Sequence, residues 1–349
     1  MAKKTLRIGA LGLTHDHVWA NLKELIALRD VELAGVADPH DELLAKAQKE
    51  FGCAVFSSAE TFLMEEGDFL DAVLIFGDNA GGVDLAELAA QYGLHILIEK
   101  PMAADLAGAD RMLAAVRNAG TRLMVNWPIA WWPQLQHALK MVEAGKIGRV
   151  WQTKYRAAHN GPREMGCSKF FYDWLYDPTR NGAGAFIDYC CYGALLSRHF
   201  MGMPSRVNGV AGRFCKEDIR VEDNGVLVMT YPNGMSLAEA SWTQIGHLTS
   251  YVTVIYGTTG TLLIEPGGRL LMATAKEQDG VEIPVPTAKP HLKNASAHFI
   301  HCLRTGEEFH PLCNDRVARD AQEILEAGLL SSSTGSEISL PMIRSVSGV

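Results

Sequence analysis

The sequence lacks the features of several large protein classes. It has no run approaching the roughly 18 apolar residues that a membrane-spanning helix requires. Its formal net charge is −8, with 40 acidic and 32 basic residues, so the basic surplus typical of nucleic-acid binding is missing. We therefore expect neither a membrane nor a nucleic acid as a partner.

Cysteine patterns are also missing. The seven cysteines are odd in number and none has a C-x-x-C spacing, which argues against a disulfide framework. The apolar N-terminal stretch is short, contains Arg7 and leads into a glycine turn, which favours a first β-strand over an export signal. We expect a reducing, cytoplasmic location.

Residues 1–126 alternate short apolar strands with helices, the pattern of a doubly wound parallel sheet of the Rossmann type. The chain has 349 residues, which is enough for two domains. Predicted strands are Leu6–Leu11, Val31–Ala37, Ala72–Phe76, His95–Ile98 and Arg122–Asn126. Predicted helices are His17–Leu28, Asp41–Phe51, Val83–Tyr92 and Leu106–Ala119.

Residues 127–349 predict a second domain of the α+β class, with one large, mostly antiparallel open sheet. An irregular stretch, 159–180, precedes a long helix, and 206–286 read mostly as strand. The other predicted elements are helices at Gln134–Ala144, Ala183–Phe200, His291–Arg304 and Val317–Ser331, and strands at Arg149–Arg156 and Glu337–Leu340.

The turn after the first strand is where a dinucleotide fold binds pyrophosphate. Of the three glycines of the G-x-G-x-x-G pattern only Gly12 is present; Thr14 and His17 stand at the other two positions. Thr14 narrows the approach, although its hydroxyl can donate a hydrogen bond. Asp38, at the tip of the second strand, suits the ribose hydroxyls and repels a 2′-phosphate. NAD is therefore expected as the cofactor, with NADP possible.

His15-Asp16-His17 resembles a metal-binding spacing but needs a distant further ligand. The position at the start of a phosphate-binding helix accounts for these residues without a metal, and we expect none.

Four stretches resemble the Gfo/Idh/MocA oxidoreductases, which include glucose–fructose oxidoreductase and inositol dehydrogenase. Glu99-Lys100-Pro101 ends a string, Gln91–Met102, that is similar to the "aGkHVlcEKPla" signature. The others are Gly145–Val150, Gly257–Leu262 and the ending through Leu340-Pro341. The resemblance covers essentially the whole chain, and it implies a cis bond between Lys100 and Pro101.

The resemblance also implies catalytic residues. Asp188 matches the aspartate of the family's G-G-G-x-x-x-D-x-G-x-H segment, and Tyr192 stands at the histidine, as in glucose–fructose oxidoreductase. Asp188 and Tyr192 lie four residues apart on a predicted helix and so share one face. Lys100 can stabilise a developing alkoxide, and a nearby ammonium favours ionisation of Tyr192, which then serves as acid or base.

The remaining site residues are expected near these. The predicted cofactor contacts are Gly12, Leu13, Thr14, His15, Asp38, Gly77, Asp78, Asn79, Glu99 and Lys100. The predicted substrate contacts are Lys100, Arg156, Arg163, Trp174, Asp188 and Tyr192. The segment Gly77–Val83 departs from the family's "TPxxxH", so the loop on the nicotinamide side is unusual.

We expect an NAD(P)-dependent oxidoreductase that moves hydride between the nicotinamide and an alcohol or carbonyl carbon of a sugar, sugar derivative or cyclitol. Two alternatives stay open: an NAD-assisted glycosidase that works by oxidation and elimination, and a catalytically silent NAD-binding or regulatory protein. By analogy with the family, the chain forms a homodimer or homotetramer.

Overall fold

The computed structural model describes residues 4–342 and divides them into two compact units. The first contains the residues up to Trp131 together with Gly166–Gly182 and Ala288–Arg316. The second contains Trp132–Met165, Ala183–Thr287 and the residues from Val317 onward. The predicted boundary at residue 126 is thus close to the first break, but two later segments return to the first unit.

The first unit is the predicted Rossmann-type sheet, with six parallel strands in the order β3-β2-β1-β4-β5-β6. The strands are Leu6–Leu11 (β1), Val31–Ala37 (β2), Ala54–Phe56 (β3), Ala72–Ile75 (β4), His95–Glu99 (β5) and Leu123–Asn126 (β6). The first five helices are His17–Ile26 (α1), Asp41–Phe51 (α2), Ala59–Glu66 (α3), Gly81–Gln91 (α4) and Leu106–Ala119 (α5). The sequence analysis missed β3 and α3.

The central strands are apolar because helices cover both faces of a parallel sheet. All four residues of β4 are buried, as are all four of β6. Because β2, β1, β4 and β5 are parallel neighbours, their carboxyl ends lie side by side at one edge of the sheet. Open α/β sheets bind ligands at this edge.

The second unit contains the predicted large sheet, with nine strands in the order β14-β13-β12-β11-β7-β10-β9-β8-β15. Its strands are Val150–Ala158 (β7), Arg206–Gly212 (β8), Asn224–Tyr231 (β9), Gly234–Ser241 (β10), Val252–Gly257 (β11), Gly260–Ile264 (β12), Leu270–Thr274 (β13), Val281–Glu282 (β14) and Ile338–Ser339 (β15). Every pair is antiparallel except β7 and β10.

The remaining helices are Pro133–Glu143 (α6), Lys169–Leu175 (α7), Pro178–Asn181 (α8), Ala185–Met201 (α9), Ala295–Thr305 (α10) and Asp315–Thr334 (α11). Helices α7 and α8 lie within the stretch that the sequence analysis left irregular. Between residues 4 and 342, no helix combines the length and apolarity that a membrane span needs.

Helix α9 lies against the sheet because both surfaces are apolar there. Residues Ala185–Ser197 are all buried, and alternate residues of β7, β9 and β10 face the helix. Gly193 is required at the closest approach, since a Cβ atom there would come within 2.3 Å of the Ala238 Cβ atom on β10.

This contact predicts the effect of Gly193→Ala. Alanine ordinarily stabilises a helix relative to glycine, but here the added methyl overpacks the interface and should lower the free energy of unfolding by about 1–3 kcal/mol. Thermal unfolding followed by circular dichroism measures the effect. Gly267→Ala, where a Cβ would meet nothing within 4 Å, is the control. Adding Ala238→Gly should recover part of the loss, and full stability of Gly193→Ala alone would contradict the packing argument.

Candidate functional site

The turn after β1 is held against the neighbouring strand. Gly12 has a φ of +72°, and a Cβ atom there would lie 2.7 Å from the backbone nitrogen of Gly77. Glycine is needed for both reasons, since other residues rarely adopt this conformation and none fits this approach. The backbone N–H of Gly12 donates to the Ala37 carbonyl (2.8 Å), and that of His15 to the Phe76 carbonyl (2.9 Å).

Asp38 fixes the same turn from the other side. It directly follows β2, is 2% exposed, and its Oδ2 atom accepts the backbone N–H of Leu13 at 2.6 Å. The predicted contact residues Gly12, Leu13 and Asp38 therefore meet in one loop, and helix α1 begins just beyond it. The N–H groups of Gly12, Leu13 and His15 are bonded within the protein, so a phosphate here would be held by the remaining groups of the loop and by the positive end of the helix dipole.

Thr14 fits a bound phosphate. The residue is 6% exposed, and within residues 4–342 its Oγ1 atom has no hydrogen-bond partner. An unmade hydrogen bond on a buried hydroxyl costs stability, so an acceptor oxygen from a ligand is the natural complement. In the G-x-G-x-x-G pattern the second glycine lets the backbone approach the phosphate. Here the Thr14 hydroxyl can make the contact with the phosphate instead.

His15, Glu99 and Lys100 form the buried polar part of this edge; they are 2%, 4% and 6% exposed. Burial holds the pKa of His15 well below its ordinary value, and His17 and Lys100 lower it further. His15 is therefore a neutral imidazole near pH 7. Its Nδ1 atom accepts the backbone N–H of His17 (3.2 Å), so the proton resides on Nε2.

Glu99 is held by three side chains. Its Oε1 atom accepts from Asn126 Nδ2 (2.7 Å) and Asn21 Nδ2 (3.5 Å), and its Oε2 atom lies 3.1 Å from His17 Nδ1. The peptide bond between Lys100 and Pro101 is cis, as the family resemblance implies. The contacts of Glu99 hold the end of β5 in place, directly before Lys100.

One group in the described chain has ligand atoms close enough for a metal: His15, His17 and Glu99, whose ligand atoms lie within 4.8 Å of one another. Both oxygens of Glu99 already accept hydrogen bonds or face a histidine, and the Lys100 charge lies near His15. The Lys100 charge opposes a cation there, whereas the Glu99 carboxylate favours one. The expectation of no metal stays a prediction.

The loop after β4 differs from the expectation for its side chains. Asp78 Oδ1 accepts the Gly81 N–H (2.7 Å) at the start of α4, and Asp78 Oδ2 lies 2.8 Å from the Arg180 guanidinium. Asn79 donates to the side-chain oxygen of Asn181 (2.8 Å). Both predicted cofactor contacts therefore attach α8 to the sheet edge, whereas Gly77 contributes its backbone beside Gly12.

Trp174 lies with the glycine loop. Its ring is 5.8 Å from that of His15, and Phe171 packs on His15 at 4.4 Å. The N-terminal end of α7 is tied to the same loop, since Asp16 Oδ2 accepts the Ser168 N–H (2.7 Å). Trp174 is 1% exposed, which does not suit the predicted stacking on a sugar ring.

In the second unit, Asp188 lies in the first turn of α9, where the helix dipole favours a carboxylate. It is 8% exposed and accepts from the Trp242 indole Nε1 at 3.3 Å. Glu222 caps the helix, because its Oε1 atom accepts the N–H groups of Gly184 (2.6 Å) and Phe186 (3.0 Å). The helix start that carries Asp188 is therefore rigid.

Tyr192 lies one turn further along, 5% exposed, and packs against Tyr155 with ring centroids 5.3 Å apart. Tyr189 links this helix to two other elements: its hydroxyl lies 2.8 Å from His159 Nε2 and 2.9 Å from the Tyr251 hydroxyl. Burial, and then the charge of Asp188, raise the pKa of Tyr189 well above its ordinary value, so Tyr189 is a neutral phenol.

A cavity of about 320 Å³ opens beside this cluster at the end of β7. His159 and Tyr251 line it, with Asn160, Gln244, His247 and Ser250 as further polar residues, and its other lining residues are apolar or glycine. Tyr251 has a φ of +56°, a strained backbone of the kind often found at functional sites.

Two predicted substrate contacts lie elsewhere. Arg156 faces the sheet surface opposite Tyr155, where it pairs with Glu239 (2.9 Å) and Gln244 (2.8 Å). Arg163 is engaged with Asp218 (2.6 Å) and Glu164 (3.0 Å). Successive side chains of β7 point to opposite faces of the sheet, so Arg156 points away from the face that carries Tyr155. This alternation is already visible in the sequence.

The sequence analysis missed several members of the polar clusters. His17, Asn126, Glu222, Trp242 and Tyr251 were not assigned to a site, and Tyr189 was overlooked beside Asp188. The spacing of Tyr189 and Tyr192 on one helix could have suggested Tyr189. The others are far apart in the chain, and only the sheet topology brings them to these positions.

Comparison with known proteins agrees with these features. Residues 5–127 match the family described as an oxidoreductase family with an NAD-binding Rossmann fold. Residues 135–263 match the C-terminal domain of the GFO/IDH/MocA family. The two matches together cover most of the chain.

Similar proteins of known name include the D-apiose dehydrogenase of Paraburkholderia graminis, 25% identical over 354 residues that cover 96% of this chain and 88% of that protein. The scyllo-inositol 2-dehydrogenase (NADP⁺) of Bacillus subtilis is 25% identical, covering 81% and 84%. Among solved structures, a levoglucosan dehydrogenase complex with NADH and levoglucosan has a TM-score of 0.82 at 21% identity, covering 97% of this chain and 100% of that one. The last likeness concerns the fold.

With both of its domains matched in sequence and both of its sheets present, the chain belongs to the Gfo/Idh/MocA family of oxidoreductases, and its first domain is the family's NAD-binding Rossmann fold.

Proposed function

We propose that the protein is an NAD(P)-dependent dehydrogenase or reductase acting on an alcohol or carbonyl carbon of an uncharged sugar or cyclitol. The observation that carries the proposal is Lys100, an ammonium group 6% exposed at the carboxyl end of β5, beside the neutral His15. Burying a charge is costly, and this place in the sheet is where ligands bind.

Lys100 has a direct role in such a reaction. A bound nicotinamide accepts or supplies the hydride. The Lys100 ammonium stabilises the negative charge that develops on the substrate oxygen, and does so more strongly away from water. The neutral state of His15 leaves Lys100 as the positive group there, so the reacting oxygen is directed to it.

Asp188 and Tyr192 complete the proposed catalytic set. Oxidation of an alcohol carbon releases a hydride and the hydroxyl proton, and the phenolate form of Tyr192 is proposed to take that proton; in reduction the neutral phenol of Tyr192 returns it. Asp188, fixed by Trp242 and the first turn of α9, accepts hydrogen bonds from substrate hydroxyls. Arg156, Arg163 and Trp174 are left out, because their observed contacts serve other purposes.

The substrate class rests on two supports. The lining residues of the cavity beside Tyr251 include side chains that donate and accept hydrogen bonds, and none of them is a carboxylate, lysine or arginine, which suits hydroxyl groups better than a phosphate or carboxylate. Several similar proteins are named for neutral polyhydroxylated substrates: apiose, levoglucosan and inositol.

The setting of the protein is part of the proposal. Its seven cysteines, all within the described residues, are free thiols, which fits a reducing, cytoplasmic compartment. The sheet face opposite α9 carries exposed Val210, Val226 and Met235, and we propose that it pairs with a second copy to form a homodimer or homotetramer.

A substrate panel tests the proposed function. Purified protein is mixed with NAD⁺ or NADP⁺ and neutral sugars and cyclitols, with sugar phosphates and uronic acids as the charged arm, and the absorbance of the reduced nicotinamide is followed. We expect turnover within the neutral arm. Turnover confined to the charged arm contradicts the substrate class. A parallel set of neutral glycosides, followed by chromatography for released sugar, tests the glycosidase alternative, which predicts cleavage without net nicotinamide reduction.

Lys100→Met should reduce kcat by about 10³-fold, because the transition state loses its main positive partner. The affinity for the dinucleotide, measured by calorimetry, should change by less than about tenfold, and circular dichroism should show an intact fold. Lys276→Met, at an exposed position, is the matched control. Near-normal turnover of Lys100→Met would refute the assigned role.

Thr14→Val tests the fit of the glycine loop. The variant keeps the size of the side chain but removes the hydroxyl, and we expect the Kd for NAD⁺ to rise about tenfold, as for one lost hydrogen bond to a charged group. Thr14→Ser keeps the hydroxyl and should stay within about threefold of the wild type. Equal affinities for Thr14→Val and Thr14→Ser would show that the hydroxyl does not contact the cofactor.

A further inference from the structure

Asp38 has a structural task besides the one that the sequence pattern assigns to it. Its Oδ2 atom accepts the Leu13 N–H at 2.6 Å, and its Oδ1 atom accepts both the backbone N–H of His40 (2.9 Å) and His40 Nδ1 (2.7 Å). With the residue 2% exposed, this carboxylate is the tie between the glycine loop and the loop that enters α2.

These bonds limit what Asp38 can do for a nucleotide. A carboxylate offers about four lone-pair sites, and three of them are already used. One site is left, which is enough for one ribose hydroxyl but not for a pair of hydroxyls. The three donors also compensate the carboxylate charge, so its repulsion of a 2′-phosphate is weaker than that of a free carboxylate.

His40 stands at the N-cap position of α2, with its side chain 41% exposed and its ring 5.0 Å from Phe170 in an edge contact. Nδ1 is directed at Asp38 and carries a proton for that bond, which leaves Nε2 on the opposite side of the ring. In the loop Asp38–Glu42, His40 is the only basic side chain, since the other charged residues are Asp38, Asp41 and Glu42.

We propose that His40, rather than Asp38, sets how strongly the protein discriminates between NAD and NADP. His40 occupies one oxygen of Asp38 and so limits the contacts of Asp38 with the ribose of NAD. As the basic side chain of the loop Asp38–Glu42, it would offset the repulsion of an adenosine 2′-phosphate by the carboxylates of that loop. The protein therefore binds NAD more tightly and NADP measurably. The inference rests on the proposed use of a dinucleotide and adds the residue that decides which one.

Replacing the acidic residue after β2 is the usual way to weaken the preference for NAD over NADP. In this protein we expect that replacement to weaken the binding of both nucleotides. Asp38→Ala removes the tie to Leu13 together with the negative charge. The glycine loop serves both dinucleotides, so both affinities should fall. Substitutions of His40 leave the Leu13 bond in place and change only the surroundings of the 2′ position.

Calorimetric titration of nucleotide-free protein with NAD⁺ and with NADP⁺ tests the proposal without turnover. In His40→Ala, Asp38 Oδ1 gains a free site, and the ratio of the NADP⁺ to the NAD⁺ Kd should rise about tenfold. In His40→Arg a guanidinium can bind the phosphate, and the ratio should fall at least tenfold. His137→Ala, a partly exposed histidine on α6, should leave the ratio unchanged.

The outcomes distinguish the role of His40 from the use of a dinucleotide. Ratios within twofold of the wild type in both His40 variants overturn the role of His40 while leaving dinucleotide use intact. Tighter NADP⁺ binding in Asp38→Ala, with unchanged thermal stability, overturns the structural role of Asp38. If the wild type binds neither nucleotide, the proposed function itself fails.

Discussion

The close passage of the Gly12 turn beside Gly77 is the constraint on which the first domain depends. A Cβ atom on Gly12 would lie 2.7 Å from the backbone nitrogen of Gly77 in the loop after β4, so the two turns can lie together only with glycine at position 12. Once they do, the N–H groups of Gly12, Leu13 and His15 are all used internally. The loop is thereby preorganised, and the Thr14 hydroxyl and the start of α1 are what it presents to a ligand.

The same edge shows how buried polar groups are kept compatible with a folded protein. Glu99 is held by Asn126, Asn21 and His17, and His15 stays neutral because burial disfavours its charged form. The Lys100 ammonium, buried beside them, is the group proposed to act on a reacting oxygen. In the second domain, Glu222 caps α9 and Trp242 donates a hydrogen bond to Asp188. These two contacts hold Asp188 in place, as the hydrogen bonds of the Gly12 turn hold the predicted cofactor residues.

Much of this arrangement could be predicted from the sequence, because it follows from local patterns. Apolar runs fixed β1, β2 and β4 to β6 within a residue or two, and the Glu99-Lys100-Pro101 signature gave the cis bond and the lysine. The three-residue β3 and the short α7 and α8 have too few residues for a period to be recognised. Segment Gly166–Gly182 also returns to the first unit through Asn181 and Arg180, which no local pattern records.

The side-chain assignments separate in the same way. Asp38, which follows a strand end, contacts the glycine loop as its position in the pattern suggests, and its cofactor role stays a prediction. Long-range partners could not be predicted: Asp78 and Asn79 contact α8, and Arg156 pairs with Glu239 on the other sheet face. Chemistry chosen by residue type alone fails wherever a nearer partner already satisfies the group.

Hydrogen–deuterium exchange, with and without NAD⁺, tests whether the Gly12 turn holds the dinucleotide. We expect added NAD⁺ to slow exchange in peptides covering Gly12–His17 and the start of α2. Peptides from β13 and β14, at one edge of the nine-stranded sheet, should stay unchanged. Unaltered exchange at Gly12–His17, with nucleotide bound at saturating concentration, would show that this loop is not where the dinucleotide is held.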